Sequence, residues 1–213
     1  MNNALKKWKS ILIFLVIFFA AMRSPAQNQT PRIDKVYFRS GFGFSVPIAE
    51  TKSYLKPKFS TSLGGMVFLA KSQFFVYPRL GLNAYSYDQL TKTGLENRIL
   101  NGRSTTYLLS LDLGYRKAIN RFAFYGVAGT GGGFILLPKI SALQGSAITM
   151  RNELNSIILL EGGIGGDYSF GNVLIFAEGT YTQALNKLAG QTYQAVPVNI
   201  GIRTNISKVF YKN

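Results

Sequence analysis

From Val36 onward the chain alternates apolar and polar residues, and charge falls on only one of the two resulting faces. Val36, Phe38, Ser40, Phe42, Phe44 and Val46 form one face, and Tyr37, Arg39, Gly41, Gly43 and Ser45 the other. A period of two puts successive side chains on opposite sides of a β-sheet. The pattern recurs eight times and predicts strands over about 36–46, 59–69, 74–86, 104–116, 121–133, 154–168, 173–182 and 196–207. Most run about 10–13 residues, near the roughly 9–11 that a tilted membrane strand needs.

The connections alternate in length. Ala70–Gln73, Lys117–Asn120 and Ser169–Asn172 read as tight turns. The other four, 47–58, 87–103, 134–153 and 183–195, read as long loops. Short turns at one end and long loops at the other are the layout of transmembrane barrels, with the short side periplasmic. The expected fold is all-β: an eight-stranded antiparallel up-and-down transmembrane β-barrel. Pro78 falls mid-strand, where a ladder hydrogen bond is lost, and a bulge is expected there.

The apolar face carries no charge in any strand. It reads Leu80, Leu82, Ala84 in the third, Leu109, Leu111, Leu113 in the fourth and Val198, Ile200, Ile202 in the eighth. Tyr107, Tyr115, Tyr168 and Tyr181 fall near strand ends, where an aromatic girdle sits. The other face holds Arg39, Arg79, Asp112, Arg116, Glu161, Asp167, Glu178 and Arg203, four positive and four negative. An Arg on the lipid face costs about 2–4 kcal/mol near the midplane, so four would cost roughly 8–16 kcal/mol. That equals the whole stability of a typical domain, about 5–15 kcal/mol. In lipid the charged face must therefore be the interior.

Buried charges are tolerated when paired. Arg79 with Asp112, and Glu178 with Arg203 and Arg39, are the expected neighbours of a salt-bridged plug. Its role is either structural filling of a narrow interior or gating of an ion path. In the strand over 121–133 the stretch from Phe122 to Gly133 has no charge on either face, so the pattern leaves its inside and outside unassigned.

The first residues do not belong to the barrel. Lys6, Lys7 and Lys9 precede an apolar run from Ile11 to Met22, and Ser24 and Ala26 stand before Gln27. This reads as a cleaved signal peptide over 1–26, with the barrel over 27–213. The formal charge is +15. It is scattered through loops (Lys52, Lys56, Lys58, Lys92, Arg98, Arg103, Lys139, Arg151), which fits anionic lipid head groups and not nucleic acid. There is no cysteine and no histidine. That excludes disulfides, lipoprotein acylation, Ser–His nucleophile pairs and His-based metal sites. Glu161 and Asp167 share a face but lie about 20 Å apart along a strand, too far for a paired acid and base. The clusters Gly129–Gly133 and Gly162–Gly166 lack the Gly-Lys-Ser/Thr and the helix of a phosphate loop. No catalytic, metal or cofactor site is expected. The 134–153 loop is unusually apolar and suits packing on the rim or a hydrophobic partner.

The Ala26–Gln27 junction, the opening Val36-Tyr-Phe-Arg-Ser-Gly-Phe-Gly-Phe44 and the alternating connections resemble the small eight-stranded outer-membrane barrels. These include the OmpX and OmpA-membrane-domain type and the porin-like "outer membrane protein beta-barrel domain" chains of Bacteroidota-type bacteria. The resemblance implies an integral outer-membrane protein reached by export, in contact with lipid and lipopolysaccharide and inserted by the barrel-assembly machinery. In that group the last strand closes on a terminal aromatic; here Phe210 and Tyr211 are followed by Lys212 and Asn213. The group's enzymes rely on a catalytic histidine that this chain lacks. The expected role is non-enzymatic, structural or in surface contact through the long loops. A narrow pore, an accessory subunit of an envelope machine with a protein partner, and a secreted lipocalin-like barrel remain the alternatives.

Overall fold

The computed structural model describes residues 36–69, 72–88, 99–142, 148–171, 173–188 and 191–207. The expected signal peptide, Lys92 and Arg98 of the second long loop, and Phe210 and Tyr211 lie outside the described residues. Eight strands form one closed antiparallel barrel in sequence order. They are β1 (Val36–Pro47), β2 (Leu55–Phe68), β3 (Phe74–Tyr87), β4 (Gly102–Ile119), β5 (Phe122–Ala142), β6 (Ile148–Ser169), β7 (Val173–Leu188) and β8 (Gln191–Asn205).

The register fixes the shape. Partners followed around the wall run from Pro47 through Ala195, Thr182, Glu161, Gly129 and Asp112 to Tyr77; the unshifted β2–β3 register sets Tyr77 opposite Met66, which returns to β1 at Tyr37, a shear of ten residues. Eight strands with that shear tilt by about 40° and close at a radius of roughly 8 Å. A bore that narrow holds side chains and little else. Because the shear is even, every residue on the circuit is on the inward face.

Outside, the wall is apolar. Phe42, Phe44, Leu80, Leu109, Leu111, Leu113, Phe124, Ile158, Ile164, Ile200 and Ile202 are all exposed. Surface of this extent does not meet water on a stable monomer. Aromatic pairs edge the belt: Phe74–Tyr115 and Phe122–Tyr168 at the short-turn end and Tyr107–Phe134 at the other, with ring centroids 5.2, 4.8 and 5.1 Å apart. From Tyr107 to Tyr115 the tilted strand rises about 20 Å, close to the roughly 25 Å apolar band of outer-membrane barrels.

Several expectations are corrected. The face of β5 is now assigned: Ala123, Tyr125 and Val127 point in, and Phe122 and Phe124 out. Pro78 makes no bulge. Its register with β4 runs unbroken, while pairing with β2 lapses at Gly65 and Met66, where the missing N–H leaves the rung open. The register shifts instead between Pro57 and Phe59 in β2, and between Gln183 and Lys187 in β7. The loops over 134–153 and 183–195 are largely strand. β5 loses β4 above Leu136 and β6 loses β7 above Leu159, so the β5–β6 pair continues as a two-stranded ribbon. The connection over 47–58 holds a 3-10 turn, Ala49–Ser53, and the first residues of β2.

Asn186, inside the β7 shift, ends the β6–β7 seam with its side chain. Its amide oxygen accepts from Ile158 N at 2.9 Å and its amide nitrogen donates to Ser156 O at 2.7 Å, copying a missing backbone rung. Asn186→Ala is expected to cost about 1 kcal/mol. It should speed amide hydrogen exchange at Ile158 at least tenfold while leaving the amides of β1–β4 unchanged.

Candidate functional site

All eight candidate side chains lie inside the barrel and are buried. Of the expected neighbours, Arg39–Glu178 and Arg79–Asp112 are in contact, while Arg203 turns from Glu178 to another carboxylate. Glu178 on β7 accepts from Arg39 on β1 at 2.6 Å and from Arg79 on β3 at 3.2 Å. Arg79 makes its tightest contact with Glu161 on β6, and stands 3.8 Å from Asp112 on β4. Arg203 on β8 pairs with Asp167 at 2.5 Å and not with Glu178. Arg116 on β4 grips the same carboxylate through two nitrogens, at 2.7 and 3.1 Å. Apart from Arg79–Asp112, each pair skips at least one strand. In so narrow a bore an Arg reaches past its neighbour and ties non-adjacent walls together.

Two groups result. Arg39, Arg79, Asp112, Glu161 and Glu178 occupy the middle, and Arg116, Asp167 and Arg203 lie toward the short turns. Taken as ionised, the middle group has one extra carboxylate and the lower one an extra guanidinium, so the interior is neutral overall. Aromatic rings join them. Arg39 lies over the Phe176 ring at 4.0 Å and Arg203 over the Tyr125 ring at 4.9 Å. The Tyr125 hydroxyl donates to Glu178 at 2.9 Å. Such desolvated cation–ring contacts are worth about 2 kcal/mol. Tyr77, Tyr125 and Phe176 were missed by a reading that followed charge alone. Tyr77 and Phe176 were findable, because each sits two residues from an interior charge. Gly165 and Gly129 make the room: a Cβ at Gly165 would overlap the Tyr125 ring, and one at Gly129 the Asp112 carboxylate.

Above the charges lies a neutral polar layer. Ser60 donates to Asn83 at 2.8 Å, and Asn83 to Thr106 at 3.0 Å. A cavity of about 20 Å³ is lined there by Ser62, Arg79, Asn83, Ser110, Glu161 and Asn199 among others. That is room for a single water. Toward the long connections the bore is filled by Tyr54, Leu55, Tyr85, Leu108, Ile135, Ile157, Leu159 and Tyr193. The Tyr85 hydroxyl sits 2.5 Å from Ser45 Oγ and 2.7 Å from the Tyr193 hydroxyl. Toward the short turns Tyr37, Met66, Phe68 and Phe75 pack together. The 3-10 turn is fixed to β8 at the rim: Thr51 Oγ1 donates to Thr192 O at 3.0 Å and accepts from Gln194 N at 2.7 Å. Burial pushes the adjacent Tyr54 hydroxyl up to about 12, so it stays a neutral donor at physiological pH. Among the described residues no group of three or more Asp or Glu is arranged to hold a metal.

A closed eight-strand barrel with an apolar wall and buried, paired charges is the fold of the small outer-membrane barrels. The solved structures it resembles include Neisserial surface protein A, at 13% identity over 80% of this chain and 97% of that one, with a TM-score of 0.56. They also include a major outer membrane protein from Thermus thermophilus, at 13% identity over 81% and 98%, with a TM-score of 0.57. At this identity the likeness is one of fold, and it does not single out the Bacteroidota-type branch of the resemblance. No protein-family model and no curated protein matches the chain.

Asp167, held by two Arg, and Asp112 should behave differently. Asp167→Asn strands two buried Arg and is expected to cost about 3–5 kcal/mol. Asp112 has no hydrogen-bond partner on either oxygen. Asp112→Asn leaves Arg79 with Glu161 and Glu178, so its cost should stay below about 1 kcal/mol. Urea unfolding of both variants in lipid vesicles reads the difference.

Proposed function

We propose that this chain is a non-enzymatic integral protein of a bacterial outer membrane, exported by a signal peptide over 1–26. Its barrel is a sealed scaffold, and its work is done at the surface by the segments above the rim. The observation that carries this reading is the combination of an apolar outer wall with an interior packed by buried side chains on both sides of its charge network among the described residues. Lipid and lipopolysaccharide are the surroundings that such a wall fits, and insertion falls to the barrel-assembly machinery. The eight interior charges serve as a structural plug: their ion pairs cross the bore and tie its walls together. The absence of histidine and cysteine supports the non-enzymatic role.

A pore fits less well. The cavity beside Arg79 and Glu161 takes one water, and packed side chains stand on both sides of it. A soluble lipocalin-like barrel fits least, because it needs the apolar face inside. An accessory role in an envelope machine would be read by co-purification of a partner in detergent.

The folded protein is expected in the outer-membrane fraction, with Gln27 as its first residue by mass spectrometry and a gel mobility that changes on boiling. In planar bilayers it should show no steady conductance. Release as a soluble monomer without detergent would refute the membrane assignment, and a steady single-channel current would refute the seal.

A further inference from the structure

The ribbon formed by the tops of β5 and β6 has two edges, and only one of them is protected. The β5 edge carries the buried Pro138, which has no N–H to offer, and Gly102 and Ile99 pack beside it. Among the described residues the β6 edge has no proline, and no strand pairs with it above Leu159. Asn186 satisfies Ser156 O and Ile158 N on that edge. Those two contacts also show which residues face it. Backbone groups alternate sides along a strand, so the even-numbered ones (Met150, Asn152, Leu154) turn their N–H and C=O outward. Residues 151–154 are exposed.

This edge is complementary to itself. Laid antiparallel against a second copy with Asn152 on the two-fold axis, the outward-facing residues meet as hydrogen-bonded pairs: Asn152 with Asn152, and Met150 with Leu154. Arg151 then stands opposite Glu153 of the second copy, twice, at the closer non-hydrogen-bonded positions. Opposite charges placed so stabilise a pair of strands, and like charges destabilise it. The neighbouring registers allowed by the same backbone phase fail this test. A slip of two in the register sum sets Arg151 against Arg151 in one direction and Glu153 against Glu153 in the other. Arg151 makes no ion pair among the described residues. Glu153 has an exposed partner in Lys139 at 3.2 Å, on the β5 side and away from the edge.

We propose that the exposed β6 edge around Asn152 is a homotypic docking strand that joins two copies of this chain by antiparallel β-pairing. The axis of such a pair is perpendicular to the ribbon, so the two barrels point in opposite directions. Within the outer-membrane reading, on which this step rests, the second copy stands in a facing membrane, and the contact is one between cells.

Sedimentation of the folded protein in detergent, first checked for its boiling-dependent gel shift, tests the pairing. The wild-type protein should form a dimer. Arg151→Glu alone and Glu153→Arg alone should each weaken it at least tenfold, since each sets like charges opposite. An equimolar mixture of the two variants should restore a dimer, because every rung then pairs Arg with Glu. The chain has no cysteine. Asn152→Cys therefore places two thiols across the axis, at about 5.5 Å between Cα atoms, within disulfide reach. Oxidation should trap the dimer. Vesicles carrying the protein should tether, and those carrying either single-charge variant should not.

A protein that shows the gel shift but sediments as a monomer overturns the pairing while leaving the barrel intact. So does a dimer indifferent to the charge changes, or capture of an unrelated strand at this edge without self-association. Loss of the gel shift itself would instead count against the membrane barrel.

Discussion

The narrowness of the bore governs the rest of this molecule. A sheet in hydrocarbon must pair every backbone group, so it closes on itself. Eight strands closing with a shear of ten leave a radius of roughly 8 Å, which side chains fill. Strand alternation sends half of each strand inward whatever its polarity. A neutral set of charges is what that space can hold at low cost, provided each finds a partner. Because the bore is narrow, those partners lie across it. Arg39 reaches Glu178, Arg79 reaches Glu161, and Arg116 and Arg203 share Asp167. The ion pairs therefore brace the cylinder as cross-ties, and the rings of Tyr125 and Phe176 fill between them.

The same constraint separates scaffold from working surface. Where the wall meets lipid no outward position is charged, and Thr61 and Thr130 turn their hydroxyls to the backbone carbonyls of Gly41 and Leu159. Above the rim the solvent is water, both faces can be wetted, and the sheet no longer needs closure. The β5–β6 ribbon begins where its outer neighbours stop, at Leu136 and Leu159. Its open edge is tolerated because it stands in water. There a free row of backbone groups becomes a means of recognition.

Strand number, the inward set of charges and the alternating connections were legible in the sequence because lipid forces a one-sided pattern. The pairing of Arg203 with Asp167 was not, since tilt and bore, not chain order, decide which side chains meet. β5 was ambiguous because neither of its faces carries a charge between Phe122 and Gly133. The ribbon read as loop for a physical reason: outside lipid its outward positions need not stay apolar, so the pattern that marked the other strands fades there. Pro78 read as a bulge, whereas the lost rung is absorbed on one side only, with β4 still paired.

Which face meets lipid is the claim on which all of this stands. Trp8 is the chain's single tryptophan and lies in the proposed signal peptide, so residues 27–213 can carry one reporter at a time. Leu109→Trp, Leu111→Trp and Leu113→Trp, each folded into vesicles, are expected to emit at short wavelength. Brominated lipid chains should quench them strongly, and iodide in the water weakly. Strong quenching by iodide with none by the brominated lipid would place these positions in water and contradict the account.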